Sequence, residues 1–286
     1  MIKRPMLGAF VMAILILTNC SPEDSNSDIV RPVMPSQEVL YAFSVKYPDA
    51  GAILWDMENE FYVARFVRMS IPVNAWFGKE GEWLLSEEEY PFNRIRSGVL
   101  KTFYLSSYAD WSIERTHLLD RKDMDTVYVI SATRDNRFVR LHYSKFGDFI
   151  KAKSGTNDYA VSPVVIPPEI NRALYRLFDT PRMIDLWKDE LAVNVAIREG
   201  DIYYLVVFTF DYEWICTFRD ILQTDLKAGI WEKFQSSEYG AYTVNQFRIM
   251  QNKTDLLYVF YFTDNEKKSH ILFIKENGNF DCVISY

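Results

Sequence analysis

Few residues in this chain are of a type that does chemistry. Three histidines (His117, His142, His270) and three cysteines (Cys20, Cys216, Cys282) are all that could act as soft metal ligands or nucleophiles. No H-E-x-x-H, C-x-x-C, G-x-S-x-G or P-loop pattern occurs, and no histidine has a partner at metal spacing. Two acidic clusters invite a calcium reading, because hard cations want several carboxylates. Glu87-Glu88-Glu89 reads as a solvated turn before a helix. Asp120, Asp123 and Asp125 lack the glycine and closing glutamate of an EF-hand, so this stretch reads as a charged hairpin loop. His142 sits in a strand pattern and reads as an ordinary strand histidine. The expectation is a protein that is not an enzyme, with no catalytic residue, no metal and no cofactor.

Aromatic side chains offer the other route to binding, at 16 % of the chain. Trp55, Phe61 and Tyr62, or Tyr239, Tyr242 and Phe247, can stack on sugar rings if exposed; flanking strand breaks, they read more simply as core edge. The net charge is −7, with Lys and Arg scattered, so nucleic acid has no electrostatic footprint.

The N-terminus carries the clearest address. Lys3 and Arg4 precede an apolar run from Met6 to Leu17, too short to span a bilayer as a helix. The run ends in Leu17-Thr18-Asn19-Cys20, which resembles a bacterial lipobox, although Asn19 stands where a small residue is usual. The reading is a signal peptide over 1–19, lipidation at Cys20, and attachment to a membrane without crossing it. Residues 20–35 are polar and acidic and read as a flexible tether. Acidic residues after the cysteine resemble a surface-export signal, so the periplasm and the cell surface both stay open.

Four aromatics recur along the rest: Trp83, Phe149, Trp214 and Phe280, spaced 66, 65 and 66 residues apart. Gly-x precedes three of them, and Tyr212-Glu213 precedes Trp214. Such a period marks a repeated unit. Each aromatic is expected to start a strand after a tight turn; with no glycine before Trp214, its turn is expected to take a different backbone form. Upstream of each strand set a helix is expected, over 37–46, 92–107, 170–178 and 226–238. The helix-to-aromatic distances alternate, so the units read as a doublet duplicated with an offset of 131. Residues 77–113 lie over 208–244 without a gap, and seven of the 37 positions are identical, among them Trp83/Trp214, Gly98/Gly229 and Phe103/Phe234.

The expected fold is α+β: two tandem domains over 36–152 and 167–286, joined by a linker over 153–166. Each is an antiparallel sheet with helices on one face, built from two helix-plus-meander half-repeats. Cys216 and Cys282, each two residues after a periodic aromatic, can form a disulfide in an oxidising envelope; the other reading is two buried thiols in one sheet.

Phe43-x3-Tyr47-Pro48-Asp49-Ala50, Trp55, Phe77-x3-Gly81-x-Trp83, and Pro91 followed by a helix ending near Tyr108 resemble the PepSY-like, beta-lactamase-inhibitor-protein-like (BLIP-like) envelope lipoproteins of Bacteroidetes. The match is best over 36–152. Over 166–286, Phe178-Asp179-Thr180-Pro181 replaces the Tyr-Pro-x-Ala element. The resemblance implies an α+β fold and an exported, outer-membrane-anchored location, but no activity, and no inhibitory loop is identifiable. Together these readings point to a cell-envelope lipoprotein that binds an unidentified envelope protein, with a carbohydrate-binding accessory lipoprotein as the alternative. The sheet faces and the groove between domains are where function is expected.

Overall fold

The computed structural model describes residues 33–155 and 161–285. Residues 1–19, read as a signal peptide, Cys20, and most of residues 20–35, read as a tether, lie outside the described residues.

Four helix-plus-meander units follow one another. In the first, α1 (Gln37–Lys46) precedes β1 (Gly51–Glu58), β2 (Phe61–Arg68), β3 (Ile71–Phe77) and β4 (Trp83–Glu89). The second has α2 (Ser97–Tyr104), then β5 (Ser112–Arg121), β6 (Val127–Arg134), β7 (Arg137–Ser144) and β8 (Phe149–Ser154). The third has α3 (Pro168–Leu177), β9 (Arg182–Lys188), β10 (Val193–Glu199), β11 (Ile202–Phe208) and β12 (Trp214–Ile221). The fourth has α4 (Ile230–Gln235), β13 (Thr243–Asn252), β14 (Leu256–Thr263), β15 (Ser269–Lys275) and β16 (Phe280–Ser285). Units one and two merge into one eight-stranded sheet, β1 to β8 in order; units three and four form a second, β9 to β16. Every neighbouring pair is antiparallel.

The periodic aromatics open β4, β8, β12 and β16 as expected. Gly81, at φ +84°, needs its missing Cβ twice over, since one there would lie 2.7 Å from the Glu38 carbonyl oxygen of α1. At Gly147, φ +99°, a Cβ would lie 2.7 Å from Gly98 of α2. Each of these two turns is thus wedged under its own helix. The turn before Trp214 does not take a different form. Tyr212 occupies the Gly81 position at φ +65°. Its N–H bonds to Thr209, as the Gly81 N–H bonds to Gly78. A tyrosine bears the left-handed backbone there at some cost in strain.

The helices share a simple logic. Ser36 caps α1, its Oγ accepting from the Val39 N–H at 3.3 Å, and Pro168 opens α3. The expected helices over 92–107 and 226–238 are shorter than their apolar spacing indicates. Each begins as a single 3-10 turn, Phe92–Arg94 or Gln223–Asp225, and then runs extended at Ile95 or Leu226 before α2 or α4 starts. The i, i+4 spacing locates the buried side, not the length. Val99 and Phe103, and Ile230 and Phe234, still point into the core.

Each helix seals one face of its meander. Phe43 packs on Trp55, Phe66 and Phe77; Phe103 meets Ile130, Leu141 and Tyr143; Leu174 meets Val195, Val206 and Phe208; Phe234 meets Phe260, Phe262, Leu272 and Ile274. The opposite face of each sheet carries no helix among the described residues.

Candidate functional site

The helix-free faces follow from strand alternation, because paired residues point the same way. On the first sheet, Leu119 pairs with Val127, Val129 with His142, and His142 with Lys151. On the second, Ala196 pairs with Asp185, and Asn194 with Trp187. These two sets meet. Leu119, Val127, Val129 and Ile150 of the first half form one buried apolar cluster with Ile184 and Ala196 of the second. The edge strand β9 therefore lies against the helix-free face of the first sheet, and the Asp125 N–H reaches the Met183 carbonyl of β9 at 2.7 Å.

At the centre of that seam is a buried carboxylate. Asp185 is 1 % exposed. Arg121 Nη1 lies 2.6 Å from Oδ1, and its Nη2 donates to the Ile184 carbonyl at 2.8 Å. Lys151 Nζ lies 2.6 Å from Oδ2 and also stacks over Trp187. His142 Nδ1 lies 3.9 Å from Oδ2. Burial alone would raise the Asp185 pKa, but Arg121 and Lys151 outweigh it and hold the carboxylate below its usual range. Burial pushes His142 down to about 3, with Lys151 adding to the effect. His142 is thus neutral beside an already compensated charge. A second ion pair extends the seam: Arg198 Nη1 bonds Asp148 at 2.7 Å and lies over the Phe146 ring, with Arg182 over the same ring.

This cluster is a lock rather than a reaction centre. Its carboxylate is ion-paired at both oxygens and closed to solvent, as suits a structural contact. Arg121, Lys151 and Asp185 were not evident as functional from the sequence. The available signal is a lone acid inside the apolar run Met183-Ile184-Asp185-Leu186-Trp187.

The expected site residues are scattered. Glu87-Glu88-Glu89 is not a solvated turn but lies in β4. Glu87 is buried on the helix-free face, with Asn74 donating to its Oε2 at 3.3 Å and His117 Nδ1 3.8 Å from its Oε1. Burial raises the Glu87 pKa and lowers that of His117. These residues line a polar cavity of about 280 Å³ with Glu89, Arg115 and Ser131. Asp120 ends within β5, while Asp123 and Asp125 form the loop to β6. His270 bridges Ser285 and Asp264 at 2.8 Å each. Among the described residues no group of histidine, cysteine and acidic side chains could hold a metal ion.

Cys216 and Cys282 do not pair. They share a sheet face, but β13, β14 and β15 separate their strands, so roughly 19 Å lies between them at about 4.8 Å per strand, far beyond the reach of a disulfide. Cys216 is buried, as one reading had it, but Cys282 is exposed on the edge strand. The aromatic sets lie at core edges: Trp55 and Tyr62 are partly buried against the α1 core, Tyr239, Tyr242 and Phe247 against the α4 core, and Phe61 against Val63 and Trp76 on the helix-free side.

The second sheet's helix-free face is different in kind. Its cross-strand pairs run Leu205–Phe218–Met250–Leu257, Val259–Phe273–Cys282 and Tyr261–Ile271–Ile284. These apolar residues reach the edge strand β16, where Ile284 is 48 % exposed, but the same rows also carry Arg248 paired with Asp220 at 2.6 Å, Gln246 and Lys275.

No protein-family model matches the chain, and no curated protein matches it. Solved structures do. One is a BLIP-like protein from Bacteroides fragilis, at 29 % identity, covering 48 % of this chain and 99 % of that one, with a TM-score of 0.46. The likeness is to BLIP-like proteins of Bacteroides. A DUF2874 family protein from Bacteroides ovatus matches at 23 % identity over 43 % of this chain and 89 % of its own, with a TM-score of 0.41. Another, from Bacteroides uniformis, matches at 18 % identity over 44 % and 94 %, with a TM-score of 0.42. Among the described residues no helix is long and apolar enough to cross a membrane.

Proposed function

We propose that this chain is a non-enzymatic envelope lipoprotein, anchored through Cys20 to the outer membrane, that works by binding protein. The observation that carries this reading is the helix-free face of the second sheet, where half-buried apolar side chains surround the Arg248–Asp220 ion pair. Apolar groups exposed in number on one face and rimmed by polar ones mark an interaction site. Half-buried Phe218, Met250, Ile271 and Phe273 on a rigid sheet are well suited to the desolvated centre of an interface. The likeness to a BLIP-like protein is compatible with an inhibitor-like role. A carbohydrate-binding role has less support, because the candidate stacking aromatics are partly buried against the cores.

Gentle-detergent crosslinking and pull-down from native membranes should recover protein with the wild-type chain. Phe273→Lys, which puts a charge at the centre of the face, should lower that recovery about tenfold, the cost of one buried hot spot. Equal recovery with Phe273→Lys, or no recovered protein together with retention on a glycan array, would sink the protein-binding reading.

A further inference from the structure

A pocket of about 260 Å³ lies at the C-terminal end of α3, on the helix side of the second sheet. Thr217 and Arg219 of β12 pair with Val206 and Tyr204 of the α3 core on one side, and with Gln251 and Ile249 of β13 on the other. Paired residues share a face, so these side chains all stand on the helix side. Phe178, Tyr204 and Trp214 give the pocket aromatic walls, while Thr217, Arg219 and Gln251 line it with donors.

A lost hydroxyl opens this space. At the offset of 131, Phe178 stands for Tyr47, and each is the C-cap of its helix, but ψ is 63° at Tyr47 and 148° at Phe178. The Tyr47 hydroxyl meets Ser86, which also accepts the Trp83 indole N–H at 2.7 Å. Trp214 keeps the matching bond, to Thr217 Oγ1 at 3.0 Å. Phe178 has no hydroxyl to offer and instead packs on Tyr204, ring centroids 4.9 Å apart. Thr217 accepts the indole N–H and still has its own proton to donate. Arg219 stands where the first half has Glu88.

The charge on Arg219 is unanswered. The residue is half-buried, and among the described residues its guanidinium has no hydrogen bond, ion pair or ring partner. Glu199 also lines the pocket, but its Oε1 is engaged by the Asp179 and Thr180 N–H groups at 2.7 and 3.0 Å. A guanidinium partly withdrawn from water without a counter-charge favours an anion from outside, and its planar fork matches a carboxylate. The adjoining cleft shares Leu177 and Trp214 and carries Arg176 and Lys253, which draw anions toward it. Aromatic walls around a single charged anchor select a flat apolar body.

From this we infer that the pocket binds a small aromatic carboxylate. The ring sits among Phe178, Tyr204 and Trp214, and the carboxylate is held by Arg219, with Thr217 and Gln251 donating to the same group. The site lies on the opposite side of the sheet from the protein-binding face and does not depend on it.

Phenylacetate is the probe, read through the tryptophan indole N–H signals of the nitrogen-labelled full chain in gentle detergent, with the Trp214 signal assigned from Trp214→Phe. A probe of about ten non-hydrogen atoms should shift that signal saturably, with a dissociation constant on the order of 1 mM. Arg219→Gln should weaken binding about tenfold or more, the loss of a charge-assisted pair. That variant should leave the unfolding midpoint unchanged, since the guanidinium has no partner to lose. On the wild type, the neutral isostere phenylacetamide should bind about tenfold more weakly, and the cation phenethylamine more weakly still. Acetyl-Gly-Phe separates two sources of the same group: tighter binding than phenylacetate identifies a peptide C-terminus, weaker binding a free acid, and both require Arg219. No shift of Trp214 with either acid would overturn the inference, as would equal binding in Arg219→Gln or phenethylamine binding as well as phenylacetate.

Discussion

Replacing Asp185 with alanine should destabilise the protein by about 3–5 kcal/mol, the usual cost of removing one partner from a buried ion cluster. Arg121 and Lys151 would stay in the seam, 7 % and 16 % exposed at their side chains, with no counter-charge. The Ile184 carbonyl would keep one arginine bond, but the second guanidinium nitrogen and the ammonium would lose theirs. Thermal unfolding should report a fall on the order of 10 °C in midpoint. The triple variant Asp185→Ala, Arg121→Leu, Lys151→Met should recover most of that loss, since apolar groups of similar volume are tolerated where ion pairs are removed together. A small loss in the single variant, or no recovery in the triple, would show that β9 is not held against the first sheet by this cluster.

The same seam should make the fold acid-sensitive through His142. Its pKa lies near 3 in the folded state, against about 6.5 unfolded. A depressed histidine leaves the native state binding fewer protons than the unfolded chain, so stability rises with pH across that interval. The contribution is complete above about 6.5 and is lost as pH falls toward 3. Between pH 7 and pH 5 the loss from this one group should be about 2 kcal/mol. Asp185 has the same sign but acts lower: its contribution is complete above about 3.9 and drains only in stronger acid. The groups facing His142 are Asp185, Lys151, Arg121 and Lys153, and the three cations oppose its protonation. Denaturant melts at several pH values should show the slope, and His142→Gln should flatten it between pH 7 and 5. An unchanged slope in that variant would place the acid sensitivity elsewhere.

Much of the architecture was legible in the chain, because it is written in periods. Trp83, Phe149, Trp214 and Phe280 mark the first residues of β4, β8, β12 and β16, and the offset of 131 describes most strand registers as well as the residue identities, slipping by one residue at β14. Local chemistry was less legible. Tyr212 shows why a missing glycine did not change a turn: the flanking hydrogen bonds of the strand pair over-determine the backbone and bear the strain. The acids of Glu87-Glu88-Glu89 looked solvated because composition does not reveal that a strand faces a second layer. The Arg121–Asp185 pair joins residues 64 apart through the docking of two sheets, and no local spacing encodes that contact. The aromatic clusters read as core edge are core edge: Trp55, Tyr62, Tyr239, Tyr242 and Phe247 are partly buried against the helix-side cores, and Phe61 packs by Val63 and Trp76 on the helix-free side. The helix-free face of the second half was hidden for the opposite reason: β14 and β15 carry apolar residues on both sides, so those strands read as continuously buried.

The central claim is that this face binds protein. Photo-crosslinking from an amino acid installed at position 273, in cells producing the full chain, tests it most directly. Tyr175, 67 % exposed on α3, serves as the control position on the helix side. The account predicts discrete protein adducts from position 273 and none from position 175, with the adduct mass showing whether the partner is a second copy. No adduct from 273, or the same adducts from both positions, would contradict it.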